Sequence, residues 1–194
     1  MTAPLDRILP DPAHRSRFDV RVAASAEATW AAVRVVTPAE LPVTRLLTYV
    51  RAMPGRILGD GHPGPADAAD RPIVDQFVEA GFGVLVEEPP RLMIVGAAAQ
   101  PWRLRGGERV SFASQEAFVA FHRPDHVRIA LSFELDPAPG GGTRLAAETR
   151  VTPTDAAAAS KFGRYWTAIR LGGAVIRFEL LRAVRRRAER TPEA

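Results

Sequence analysis

The chain contains no cysteine. That excludes a disulfide framework, a thiolate metal site and a cysteine nucleophile. Lysine is almost absent too: Lys161 stands alone, and the rest of the 26 basic residues are arginines. No apolar run approaches the roughly 18–20 residues that a membrane-crossing helix needs. Residues 1–16 carry acids and prolines around no apolar core, so they do not read as a secretory signal. These absences lead to the expectation of a cytoplasmic protein with no stable membrane insertion. The four histidines, His14, His62, His122 and His126, fall in or beside turns. None forms a helical histidine pair with a nearby carboxylate, so no metal and no other cofactor is expected. Gly140-Gly141-Gly142 lacks the lysine and following helix of a phosphate loop and reads as a turn.

The formal net charge is only +4. The preference for arginine, with abundant Ala, Gly and Pro, reads as coding bias in a GC-rich genome. Basic residues are scattered except between Arg182 and Arg190, and no recognition motif accompanies them, so no nucleic-acid partner is expected. The terminal cluster reads as a solvated helix end whose cations meet the negative pole of the helix dipole.

What is present is enough for a core. With 194 residues, 46% of them hydrophobic, the chain reads as one domain over residues 16–190, preceded by a loose surface segment, 1–15. Val127, Ile129, Leu131, Phe133 and Leu135 alternate with Arg128, Ser132, Glu134 and Asp136. Leu145, Ala147, Thr149 and Val151 alternate with Arg144, Glu148 and Arg150. Two half-buried strands joined by a Pro/Gly-rich turn form a hairpin. A long helix is predicted over 155–190, with Thr154 as cap and an apolar stripe at Ala159, Phe162, Trp166, Ile169, Gly173, Ile176, Leu180 and Val184. Gly172-Gly173 costs roughly 1 kcal/mol per glycine in a helix interior, which predicts a kink or a break there.

Upstream, Arg17 to Ala24 reads as the first strand. Ser25 caps a helix carrying Trp30 and Val33. Thr37-Pro38-Ala39-Glu40 is a second helix start, with Leu46, Leu47 and Val50 beyond it supplying an apolar face. Residues 53–71, rich in Gly, Pro and Asp, read as a long loop or lid. A short helix (72–80), strands at 82–88 and 92–99, a strand or hairpin around Gly106-Gly107, and a helix at 114–121 complete the order.

One strand, two helices, several antiparallel strands and a long final helix resemble the helix-grip fold of the START-like superfamily, which includes polyketide cyclases. The stretches that carry the resemblance, to a bacterial branch, are Ala24-Ser25-Ala26-Glu27-Ala28-Thr29-Trp30, Gly81 to Pro90, Val95-Gly96 with Trp102-Arg103, Glu148-Thr149-Arg150-Val151 and Tyr165-Trp166. The resemblance implies an α+β domain in which a curved antiparallel sheet of six or seven strands wraps a long helix around an internal cavity. A shared fold does not settle activity.

Three functions follow as expectations. The first is binding or carriage of a small hydrophobic molecule, a lipid, polyketide or isoprenoid, by a monomer or homodimer, with Phe82, Trp102, Trp166, Ile169, Gly173 and Ile176 as lining. The second is a cyclase or aromatase, which needs His122, Glu148, Arg150 or Tyr165 inside the cavity. The third is an interaction module with a filled interior. Glu148 and Arg150 either hold a polar substrate or sit on the far strand face, at solvent or under another helix. The apolar partners of their strand favour the far face. Arg103 and Arg164 are candidate carboxylate binders at a cavity mouth.

Overall fold

The computed structural model describes residues 4–44, 69–103 and 106–190. A 3-10 turn, Pro4–Arg7, leads into β1 (His14–Val22), α1 (Ala26–Val35) and a second 3-10 turn, Pro38–Glu40. Next come α2 (Ile73–Glu79), β2 (Gly83–Glu88), β3 (Leu92–Ala99) and the short β4 (Arg109–Ser111). The chain continues through α3 (Gln115–Val119), β5 (Val127–Pro137), β6 (Thr143–Pro153) and α4 (Ala156–Ala188). The strands form one open, curved antiparallel sheet in the order β1-β6-β5-β3-β2, and β4 also pairs with β3. α4 packs against one face, which is the α+β helix-grip arrangement.

Alternation decides which residues meet α4. Val127, Ile129, Leu131, Phe133 and Leu135 of β5 join apolar clusters that include α4 residues, and Leu145, Ala147 and Val151 of β6 do the same. The opposite face was expected to be solvated and is not. Leu5, Ile8 and Leu9 of the N-terminal segment and Phe118 of α3 cover it, packing on Leu92, Ile94, Ala98 and Ala130. β3 is buried along its whole length. Its near-continuous apolar run suits a strand covered on both sides. The N-terminal segment is therefore structural rather than loose: Leu5 and Leu9 are 0% and 1% exposed.

Local signals explain most boundaries. Ser25 accepts from the Ala28 amide at the start of α1, and Ser114 accepts from Ala117 at the start of α3. Gly81, with φ +86°, ends α2 in the left-handed region that glycine tolerates best. The cap of α4 is Asp155, whose side chain accepts from Ala158, and not Thr154. The Thr154 hydroxyl instead donates to the His126 carbonyl at 2.9 Å. The start at Thr37 gives a 3-10 turn, Pro42 prevents one smooth helix, and helical backbone resumes at residues 42–44; the region around Gly106-Gly107 contributes the three residues of β4. Leu46, Leu47, Val50, His62 and most of the predicted 53–71 loop lie outside the described residues.

α4 runs as one helix through Gly172-Gly173. The predicted break is absent because both ends are anchored. Ala158 and Phe162 are buried at one end, and Leu180, Leu181, Ala183, Val184 and Ala188 at the other. Polar ties add to this. Glu179 accepts from the Val43 and Thr44 amides, Arg187 pairs with Glu40, and Glu189 accepts from the Ala23 amide. Ala159, placed on the stripe by sequence, is exposed, and its neighbour Ala158 is buried instead.

Candidate functional site

Between Phe162 and Leu180 no side chain of α4 is fully buried. The face beneath it explains this. The clusters holding the two helix ends are separate: Val22, Val33, Phe133, Leu145, Leu180 and Val184 form one, and Val127, Val151 and Phe162 form the other. At the edge of the first cluster runs a rung across the sheet, Ser16–Thr149–Leu131–Val95–Val84, each residue in register with the next; Val95 belongs to that cluster and Leu131 and Val84 pack against it. The rung is polar at its β1–β6 end and apolar towards β2. Ser16, Leu131 and Val84 are half-buried, as are Ile169, Gly173 and Ile176 on the helix above. Half-buried aliphatic residues thus stand on both the middle of α4 and the rung, and the rung has one polar end.

Arg177 occupies that polar end. Its Nε donates to Thr149 Oγ1 at 2.9 Å, and its Nη1 donates to Ser16 Oγ at 3.3 Å and to the Gly173 carbonyl at 2.9 Å. A Cβ at Gly173 would stand 3.3 Å from Arg177 Nη1, so the missing side chain lets the guanidinium lie against the helix backbone. Among the described residues no carboxylate pairs with Arg177. Burial, with no opposing charge, pulls its pKa below the ordinary arginine value.

The aromatic candidates gather at the other anchor. Trp102, Tyr165 and Trp166 are half-buried against the Val127–Val151–Phe162 cluster. The His14 ring lies 5.1 Å from Phe162 and 5.2 Å from Trp166, and burial lowers its pKa, which favours the neutral ring. Phe82 is half-buried at the opposite cluster, beside Phe77. The six predicted lining residues therefore divide. Ile169, Gly173 and Ile176 lie half-buried on the middle of α4, whereas Phe82 packs with one cluster and Trp102 and Trp166 with the other.

Glu148 and Arg150 face away from α4, under the N-terminal turn, and each is 1% exposed. Glu148 Oε1 accepts from Arg150 Nε at 2.6 Å and from Arg15 Nε at 2.7 Å, and its Oε2 accepts from Arg17 Nη1 at 2.7 Å. Arg17 also forks onto both oxygens of Glu134 at 3.0 Å. Arg150 reaches Asp6 Oδ1 at 2.6 Å and the Leu9 carbonyl at 2.8 Å. Three guanidiniums thus meet three carboxylates. Burial pushes the Glu148 pKa up, but hydrogen bonds from Arg150, Arg17 and Arg15 outweigh it and hold the carboxyl below its ordinary range. The group is neutral overall with every charge paired, which places Glu148 and Arg150 on the far face rather than against a substrate under α4. An outer cleft of about 310 Å³ is lined by Arg17 and Glu134 of this group, by Arg7, and by two further ion pairs, Arg91 with Glu88 and Arg144 with Asp136.

His122 is exposed beyond α3 and does not face the helix side of the sheet, so it leaves the general-base role unfilled. Arg103 is engaged with Asp125 at 3.1 Å, and Arg164 is exposed. Asp125, at φ 60°, also receives Lys161 Nζ at 2.6 Å and donates its own amide to Asp155 at 2.6 Å. The single lysine thus pins the start of α4 to the β5 entry. Among the described residues no cluster of three or more His, Asp or Glu could hold a metal ion.

Arg177 is the residue that pattern reading missed. Its signal was positional: 162, 166, 169, 173, 177, 180 and 184 follow one helical stripe, and a charge at 177 interrupts it. Ile176, chosen in its place, is the adjacent position. Comparison with family models, curated proteins and solved structures finds no match to this chain.

Proposed function

We propose that this chain binds a small, mostly apolar molecule between the middle of α4 and the central rung of the sheet, as membership of the START-like superfamily would lead one to expect. One observation carries the reading: α4 is anchored by buried side chains at both ends and by none between Phe162 and Leu180. A helix serving only to close a core would be buried along its length. Here Leu131, Val84, Ile169 and Ile176 keep apolar surface available, and removing such surface from water contributes roughly 25 cal/mol per Å². Of the groups a cyclase would need, Glu148 and Arg150 lie on the far face of the sheet and His122 is exposed, which leaves Tyr165 alone on the α4 side.

Native mass spectrometry of the freshly purified full chain, followed by denaturing extraction, tests this. The expected result is a small molecule retained in the gentle spectrum and identified in the extract. A bare chain mass, together with no fluorescence gain from an added apolar dye, would contradict the proposal.

A further inference from the structure

We infer that the bound molecule is amphipathic and carries one anionic oxygen head, carboxylate or phosphate, which Arg177 receives while the apolar body lies along Leu131 and Val84. The inference rests on the binding reading above and adds the chemistry of the ligand. Arg177 projects from the middle of α4 onto the polar end of the rung. Neutral acceptors, two hydroxyls and one carbonyl, hold its Nε and Nη1. They orient the guanidinium without neutralising it. Nη2 is left without a hydrogen-bond partner among the described residues. The contrast with the other face is informative: there, every arginine of the buried group meets a carboxylate.

A half-buried cation without a counter-ion costs stability in the empty protein, and burial lowers the Arg177 pKa for the same reason. An incoming anion would form a charge-assisted bond in a site already partly shielded from water, the setting in which such bonds are strongest. The direction of the molecule follows from the rung. Its head belongs at Ser16 and Thr149, and its body towards β2, where Leu131, Val95 and Val84 follow one another.

The test uses three matched probes, dodecanoate, dodecyl phosphate and dodecanol, titrated into the full chain by calorimetry. The wild type is expected to bind one or both anions at least about tenfold more tightly than the alcohol, and Arg177→Gln to reduce that difference to less than about threefold. The more tightly held anion names the head group. Equal binding of all three probes overturns the anionic head and leaves the apolar site standing. Binding of none overturns both readings. A second variant needs no ligand: Arg177→Met should raise the melting temperature of the empty protein, by about 3 °C. A fall in melting temperature would show Arg177 to be a structural tie and overturn the inference.

Discussion

Replacing Glu148 with glutamine is expected to destabilise the protein by about 3–5 kcal/mol, the usual cost of breaking a buried ion pair from one side. Glu148 sits at the centre of the outer-face group, accepting from Arg15, Arg17 and Arg150. Its amide replacement has nearly the same shape, so the loss isolates charge from packing. It leaves three guanidiniums facing only Glu134 and Asp6. Denaturant unfolding of both proteins reads the difference, and an unchanged midpoint would refute the assignment. Acid offers a second reading. Its three arginine partners hold the folded Glu148 carboxyl below the ordinary carboxylate value of about 4.5, so its contribution is complete above that pH. It is lost as pH falls through the lower folded value, where the carboxylate must protonate. The stability gap between wild type and Glu148→Gln should therefore be constant near neutrality and shrink progressively below about pH 4.5.

Deleting residues 1–11 should abolish cooperative unfolding. The segment holds Leu5, Ile8 and Leu9, all at most 2% exposed, and losing each large aliphatic side chain from a core costs about 2–5 kcal/mol. The deletion also takes away Asp6 and the Leu9 carbonyl, both partners of Arg150. Together these approach the whole stability of an ordinary domain, about 5–15 kcal/mol. Leu5→Ala alone should lose about 2–5 kcal/mol and still fold. A deletion variant that melts like the wild type would show the outer-face core to be dispensable. Circular dichroism during heating distinguishes the outcomes.

These two results concern the face that was harder to read. The helix side of the sheet was legible because strict alternation in β5 and β6 separates Leu131 and Phe133 from Ser132 and Glu134 without ambiguity. The outer face was obscured because its own alternating residues are charged, and charge normally reads as solvent. It is covered by a short N-terminal segment whose Leu5, Ile8 and Leu9, spaced as one helical face, are too few to stand out as an element. The rank of Glu148 among catalytic candidates had the same origin. A buried carboxylate with arginine neighbours looks alike in sequence whether it meets a substrate or its own chain.

The long helix shows a second limit. Its glycines lower intrinsic helicity, but that local cost is smaller than the packing of Phe162 at one end and Leu180, Leu181 and Val184 at the other. Tertiary contacts overrode the propensity. Gly173 does have a use, as the place where Arg177 folds back on the helix. An aliphatic stripe interrupted by one arginine was visible in the sequence, but what Arg177 meets was not. Ser16 and Thr149 come to it from strands that are distant in the chain.

The central claim is that a ligand lies between α4 and the middle of the sheet. A crystal structure of the full chain with dodecanoate tests it most directly. The account predicts density whose head lies within hydrogen-bond distance of Arg177 Nη2 and whose chain crosses Leu131 towards Val84. Density confined to the outer cleft beside Arg91 and Arg144, with the space under α4 unchanged, would contradict it.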